Sequence, residues 1–187
     1  MNFEIFGKTL LHAYRHIEKI TDAYDKLVKK IALNSIYSNI SGANNTLTIT
    51  NKMIDLLDKK EKYLNLKVIC EKAIFNLNNE DKKILCLLYF DGVNYKVCSN
   101  LLKISTRTFF RKKQTAIANF CFQLEKLGYD MKYFMKNYSD DKILGEYYNL
   151  FSNTNKNINE FSNNERIIIK FIKDIEKSFP YKRAYGY

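Results

Sequence analysis

A single proline, at position 180, and six glycines in 187 residues constrain this chain more than any motif does, because they leave the backbone few obligatory breaks. Lys, Leu, Glu and Ile fill long periodic stretches between those breaks, so the expected fold class is all-α. The composition, 46% hydrophobic and 14% aromatic with 27% charged residues, supplies enough apolar surface for a core and excludes wholesale disorder.

Three sections are expected. From Lys8 to Asn39 apolar residues recur as Leu10, Tyr14, Ile17, Tyr24, Val28 and Ile31, widened by Ile20 and Leu27, a heptad-like seam on one long helix. Turn formers follow at Ser41-Gly42-Ala43-Asn44-Asn45, and Thr50 is placed to cap a second helix carrying Met53, Leu57, Leu64, Val68 and Phe75. Residues 1–76 therefore read as an antiparallel helical hairpin, with a parallel coiled-coil dimer through the first helix as the rival. Residues 129–187 read as a helical extension. It holds a helix around Asp140 to Leu150, an Asn-rich linker from Ser152 to Asn164, and a last amphipathic helix from Glu165 to Lys177 that groups Ile168, Phe171, Ile172 and Ile175. Pro180 ends that helix, and a basic tail, Tyr181-Lys182-Arg183, follows.

The middle section, 77–128, carries the functional signal. Asn78 or Asn79 is placed to cap a helix with Glu80 and Asp81 in its first turn, Ile84, Leu85, Leu87, Leu88 and Phe90 on its apolar face, and a stop at Asp91-Gly92. A short helix from Asn94 buries Tyr95, Cys98, Leu101 and Leu102. The turn Lys103-Ile104-Ser105 then leads into a third helix from Thr106 to about Leu127. This is the layout of a trihelical helix-turn-helix domain. Acidic residues vanish from it: between Asp91 and Glu125 there is no carboxylate, while Lys96, Lys103, Arg107, Arg111, Lys112 and Lys113 give the segment a charge of +6. If Phe109, Ala116 and Phe120 face inward, Thr106, Arg107, Phe110, Arg111 and Gln114 face out along the exposed side, with Ser105 and Thr108 near the helix start. Arg takes guanine bidentately and Gln takes adenine, whereas Lys96, Lys103, Lys112 and Lys113 suit phosphate contacts. Phe110 either touches a thymine methyl or packs on a neighbouring element. A basic helix in an ordinary bundle would carry similar charge, but here the charge coincides with helix lengths, turn and caps in trihelical register.

A net charge of +11 on the whole chain favours polyanionic partners. No stretch approaches the length of a bilayer span and the first residues lack a secretory layout, so a cytoplasmic, nucleoid-associated protein with no membrane partner is expected. Cys70, Cys86, Cys98 and Cys121 form no CxxC pair and read as reduced core thiols. His12 and His16, at i and i+4, lack the adjacent Glu of a zincin, and the chain shows no phosphate loop or nucleophile elbow. Neither enzyme activity, metal nor cofactor is expected.

The run Asn79-Glu80-Asp81-Lys82-Lys83-Ile84-Leu85-Cys86-Leu87-Leu88-Tyr89-Phe90-Asp91-Gly92-Val93-Asn94-Tyr95-Lys96, continued by Leu101-Leu102-Lys103-Ile104-Ser105-Thr106-Arg107-Thr108-Phe109, resembles region four of sigma-70 family factors. That region has a YFDG-x-SY hinge followed by I-A-x-L-L-G-I-S-x-R-T-V leading into a recognition helix. The chain is also similar to phage transcriptional regulators of Gram-positive bacteria, in which a helical hairpin precedes this module. The resemblance implies promoter recognition in double-stranded DNA by the helix beginning at Ser105, with Arg107 and Arg111 at DNA-contacting positions. The hairpin at 1–76 is expected to mediate homodimerisation or to contact RNA polymerase. Lys103 departs from the pattern, standing where the family has Gly in a left-handed turn, a substitution that costs about 1 kcal/mol. The alternatives are a protein-interaction module that grips polymerase or another regulator without reading DNA, and an RNA-binding protein that stacks bases on Tyr and Phe.

Overall fold

The computed structural model describes residues 2–40, 46–153 and 160–177. The expected turn at 41–45, the middle of the Asn-rich linker at 154–159, Pro180 and the basic tail lie outside the described residues. Every element among those described is helical: α1 (Phe3–Tyr14), α2 (Ile17–Ile40), α3 (Thr46–Phe75), α4 (Asn79–Leu85) continued by a π turn (Cys86–Phe90), α5 (Tyr95–Leu101), α6 (Thr106–Lys126), α7 (Met131–Tyr138), α8 (Lys142–Asn153) and α9 (Glu160–Lys177). None of them is long and apolar enough to cross a membrane.

The first section is not one long helix. It breaks at Arg15 and His16, where the His16 amide donates to Ala13 O at 2.9 Å and helical pairing resumes with Ile20 to His16 O at 3.0 Å. The break follows from burial on different partners. Phe6, Gly7, Thr9, Leu10, Leu11, His12 and Ala13 are buried nearly all round α1, which packs against α3, α6, α8 and the π turn. α2 instead lies along α3 and α9.

α2 and α3 run antiparallel. Glu18 pairs with Lys67 at 3.2 Å and Asp25 with Lys60 at 2.7 Å, so seven residues forward on α2 are seven residues back on α3. These half-exposed pairs mark the register and contribute little stability. The seam beneath them, Ile17, Ile20, Tyr24, Leu27 and Ile31 against Leu56, Tyr63, Leu66 and Cys70, is buried and supplies the hydrophobic term.

The expected apolar face of α3 is corrected. The helix starts at Thr46, and Thr50 donates to the Thr46 carbonyl from inside it without capping it. Met53 is half-buried, but Leu57, Leu64, Val68 and Phe75 are exposed. α3 is apolar on two faces. The one carrying Leu56, Tyr63, Leu66, Cys70 and Ala73 is taken by the core, where Tyr63 also finds a polar partner, its hydroxyl donating to the Asp141 carboxylate at 2.6 Å.

In the C-terminal section α7 was not foreseen as a separate helix, and α9 begins five residues earlier than the sequence suggests. Ile168 is buried while Phe171 and Ile172 are half-buried; the side chain of Ile175 lies outside the described residues. Buried residues from all three sections belong to one continuous cluster, with α1 at its centre.

Candidate nucleic-acid interface

Local chemistry sets the ends of α4, α5 and α6. Asn78 Oδ1 accepts from the Asp81 amide at 2.8 Å, Asn94 Oδ1 from the Lys96 amide at 2.9 Å, and Ser105 Oγ from the Thr108 amide at 3.2 Å, three side-chain N-caps. The π turn closes α4, with Asp91 N–H donating to Cys86 O at 2.9 Å and Val93 N–H to Leu87 O at 2.8 Å. Gly92 follows at φ +65°, a left-handed conformation that favours glycine, with the movable Arg15 guanidinium lying against it.

Lys103 sits in the left-handed region at φ 53°, and no other non-glycine residue among those described has positive φ. The lysine therefore occupies the turn conformation that glycine would adopt more cheaply, and the turn keeps its shape. The Lys103 amide donates to Asn100 O and the Ile104 amide to Ser99 O, both at 3.0 Å.

α6 is held from behind. Phe109, Ala116, Ile117, Phe120 and Leu124 are fully buried. Asp81, itself buried at the start of α4, accepts from Asn119 Nδ2 at 2.6 Å and from Asn78 Nδ2 at 2.7 Å. A hydrogen bond to a buried carboxylate is worth more than one between neutral groups, so Asp81 fixes the rotation of α6 about its axis.

That rotation leaves Thr106, Arg107, Phe110, Arg111 and Gln114 exposed, as do the turn and α5 for Lys96, Lys103 and Ser105. Arg107, Arg111 and Gln114 fall at i, i+4 and i+7, one stripe about 10 Å long, the rise of about three base pairs. Neither arginine forms an ion pair among the described residues. Phe110 lies 5.2 Å, centroid to centroid, from Tyr95 of α5, so it packs on a neighbour while keeping 44% of its surface exposed.

Four expected site residues, Ser105, Thr108, Lys112 and Lys113, are engaged within the fold. Lys112 pairs with Glu80 of α4, Lys113 Nζ sits 5.7 Å from the Tyr89 ring centre, and the Thr108 hydroxyl shares a 2.9 Å hydrogen bond with Ser105. Lys112 and Lys113 thus turn toward α4 and its π turn, away from the Arg107–Arg111 stripe. Leu101, expected inside, is exposed beside Val97 on α5, whereas Cys98 and Ser99 are buried.

The histidines lie inside. Both are buried; His12 stacks on Phe151 with ring centres 4.6 Å apart and meets Tyr89 edge-on at 4.8 Å. Burial first, then the positive charge of Lys113, pushes its pKa down from 6.5 to about 3. The cysteines carry free thiols, with Cys70, Cys98 and Cys121 buried and Cys86 half-buried; burial pushes Cys121 up to about 12. No grouping of three metal-ligating side chains occurs among the described residues.

One lysine-rich feature escaped the sequence reading. A cavity of about 440 Å³ lies where α2, α3 and the α7–α8 junction meet Phe171, lined by Lys52, Lys59, Lys62, Lys136 and Lys142 together with Asp55, Asp140 and Asp141. The recurrence of lysine at 52, 59 and 62 on one face of α3 was its only local signal, since the other two arrive from α7 and α8. Comparison with protein-family models, curated proteins and solved structures finds no match to this chain.

Proposed function

We propose that the chain is a sequence-specific, double-stranded-DNA-binding transcription regulator of sigma region four type, acting at promoters in the cytoplasm. In this reading α4, α5 and α6 form a helix-turn-helix, and α6 enters the major groove. The observation that carries it is the exposed, carboxylate-free stripe Arg107–Phe110–Arg111–Gln114 on a helix whose rotation is locked from behind by Phe109, Phe120 and the Asn119–Asp81 bond. Arg107, Arg111 and Gln114 read base edges, and Lys96 and Lys103 contact phosphates on either side. Thr106 supports the helix start, while Ser105 and Thr108 form its cap. Its function is binding without catalysis.

Selection from a random duplex pool at two salt concentrations tests the proposal. One motif should be enriched by the native chain and lost by Arg107→Ala, Arg111→Ala, each single change costing about 1–3 kcal/mol. Unchanged affinity and preference in the double variant would sink the assignment. A second reading, a module that grips RNA polymerase or another regulator, is favoured by the exposed Val97 and Leu101 at i, i+4 on α5. It predicts binding to the protein partner that is weakened by Val97→Asp and only mildly sensitive to salt.

A further inference from the structure

α3 leaves a second apolar face uncovered. Leu47, Ile54, Leu57, Leu64, Val68 and Phe75 are each between 43% and 76% exposed, and their spacing alternates sevens with a three and a four. Those are the a and d positions of a heptad repeat, running along a 30-residue helix about 45 Å long. Isolated exposed apolar residues need no explanation, but six of them on one face, interrupted in the seam only by Thr50, Glu61 and Glu71, do.

The stripe is symmetric about Glu61. Leu47 and Phe75 lie fourteen residues to either side of it, Ile54 and Val68 seven, and Leu57 and Leu64 four and three. A two-fold axis through Glu61, perpendicular to α3, therefore lays the stripe on a reversed copy of itself. Leu47 then meets the partner's Phe75, Ile54 the partner's Val68, and Leu57 the partner's Leu64. We infer that α3 is the dimerisation helix of this protein, pairing antiparallel with α3 of a second copy.

Charge selects the direction. A parallel, in-register pair would set Glu61 against the partner's Glu61 and Glu71 against the partner's Glu71 along the seam, whereas the reversed pair keeps only the first of these contacts and sets Glu71 opposite the partner's Asn51. The six side chains offer on the order of 600 Å² per copy. Flanking polar residues bring this toward the roughly 800 Å² per partner of a standard interface. Such an interface is isologous and closed, so association stops at two. The two Glu61 carboxylates meet near the axis and weaken the pair, which makes Glu61 a register marker.

The inference does not depend on DNA reading, and its test uses none. In sedimentation over a concentration series, the full chain should reach twice 22.1 kDa. Leu57→Asp with Leu64→Asp should return it to 22.1 kDa with its helical circular dichroism unchanged, since both residues are at the surface. Glu61→Gln should tighten the dimer several-fold. Mixed Ile54→Cys and Val68→Cys proteins should cross-link to each other on mild oxidation, above the native-cysteine background. Ile54→Cys alone should not cross-link to itself. A chain that stays monomeric at high concentration, or an Ile54→Cys protein that cross-links to itself, overturns the proposal.

Discussion

Lys103 occupies a left-handed turn without the backbone freedom of glycine, and its exposed ammonium lies beside the start of α6. The two roles separate in Lys103→Gly. Relief of the strained φ should raise unfolding stability by about 1 kcal/mol in urea titration, while the lost cation should lower DNA affinity and reduce the salt slope by about 1. His12 makes a different prediction. Its folded-state pKa, about 3, lies below the ordinary 6.5, so the unfolded chain binds the extra proton. Stability is full above pH 6.5 and is lost as pH falls toward 3. Urea midpoints should show a loss of about 2 kcal/mol between pH 7 and pH 5, flattened in His12→Phe. At this scale the sequence was legible where partners are near in the chain: Asn78, Asn94 and Ser105 cap helices that begin beside them. It was not legible for Lys112 and Lys113, whose directions are set by Glu80 and Tyr89 across a helix packing.

Among the elements, the helical class, the starts of α4, α5 and α6 and the length of α6 could be read from capping and period alone, whereas the change to a π turn at Cys86 could not. Nor could the break between α1 and α2. No proline or glycine marks it, and it arises because α1 is enclosed by α3, the π turn, α6 and α8, the last of them more than a hundred residues downstream. The face of α3 was illegible for another reason: both its stripes have helical spacing, and only the partners available decide which is buried. The crossing of α1 and α6 depends on one small residue. A Cβ at Gly7 would collide with Cys121 Sγ, so Gly7→Ala should cost about 1–3 kcal/mol in thermal or denaturant unfolding. Combined with Cys121→Ala, the loss should be smaller than the sum of the two single changes, because they share one contact.

For the whole molecule, the proposed DNA-reading stripe and the proposed dimer stripe lie on different helices, so Leu57→Asp with Leu64→Asp would leave α6 untouched while removing its second copy. A site built from two half-sites would then lose affinity with its base preference intact.

The central position of α1 also bears on how the chain is made. The Asn2 amide donates to the Tyr148 hydroxyl at 2.8 Å across 146 residues of sequence, and α1 packs most extensively on α8. At ribosomal speeds of about 5–20 residues per second, α1 emerges roughly 7–30 seconds before the helix that covers it. During that interval Phe6, Leu10 and Leu11 have no completed core to enter, so α1, made well before α8, is among the last helices to be enclosed. Nascent chains halted before α8 should be held by chaperones through this helix, and released once it is made.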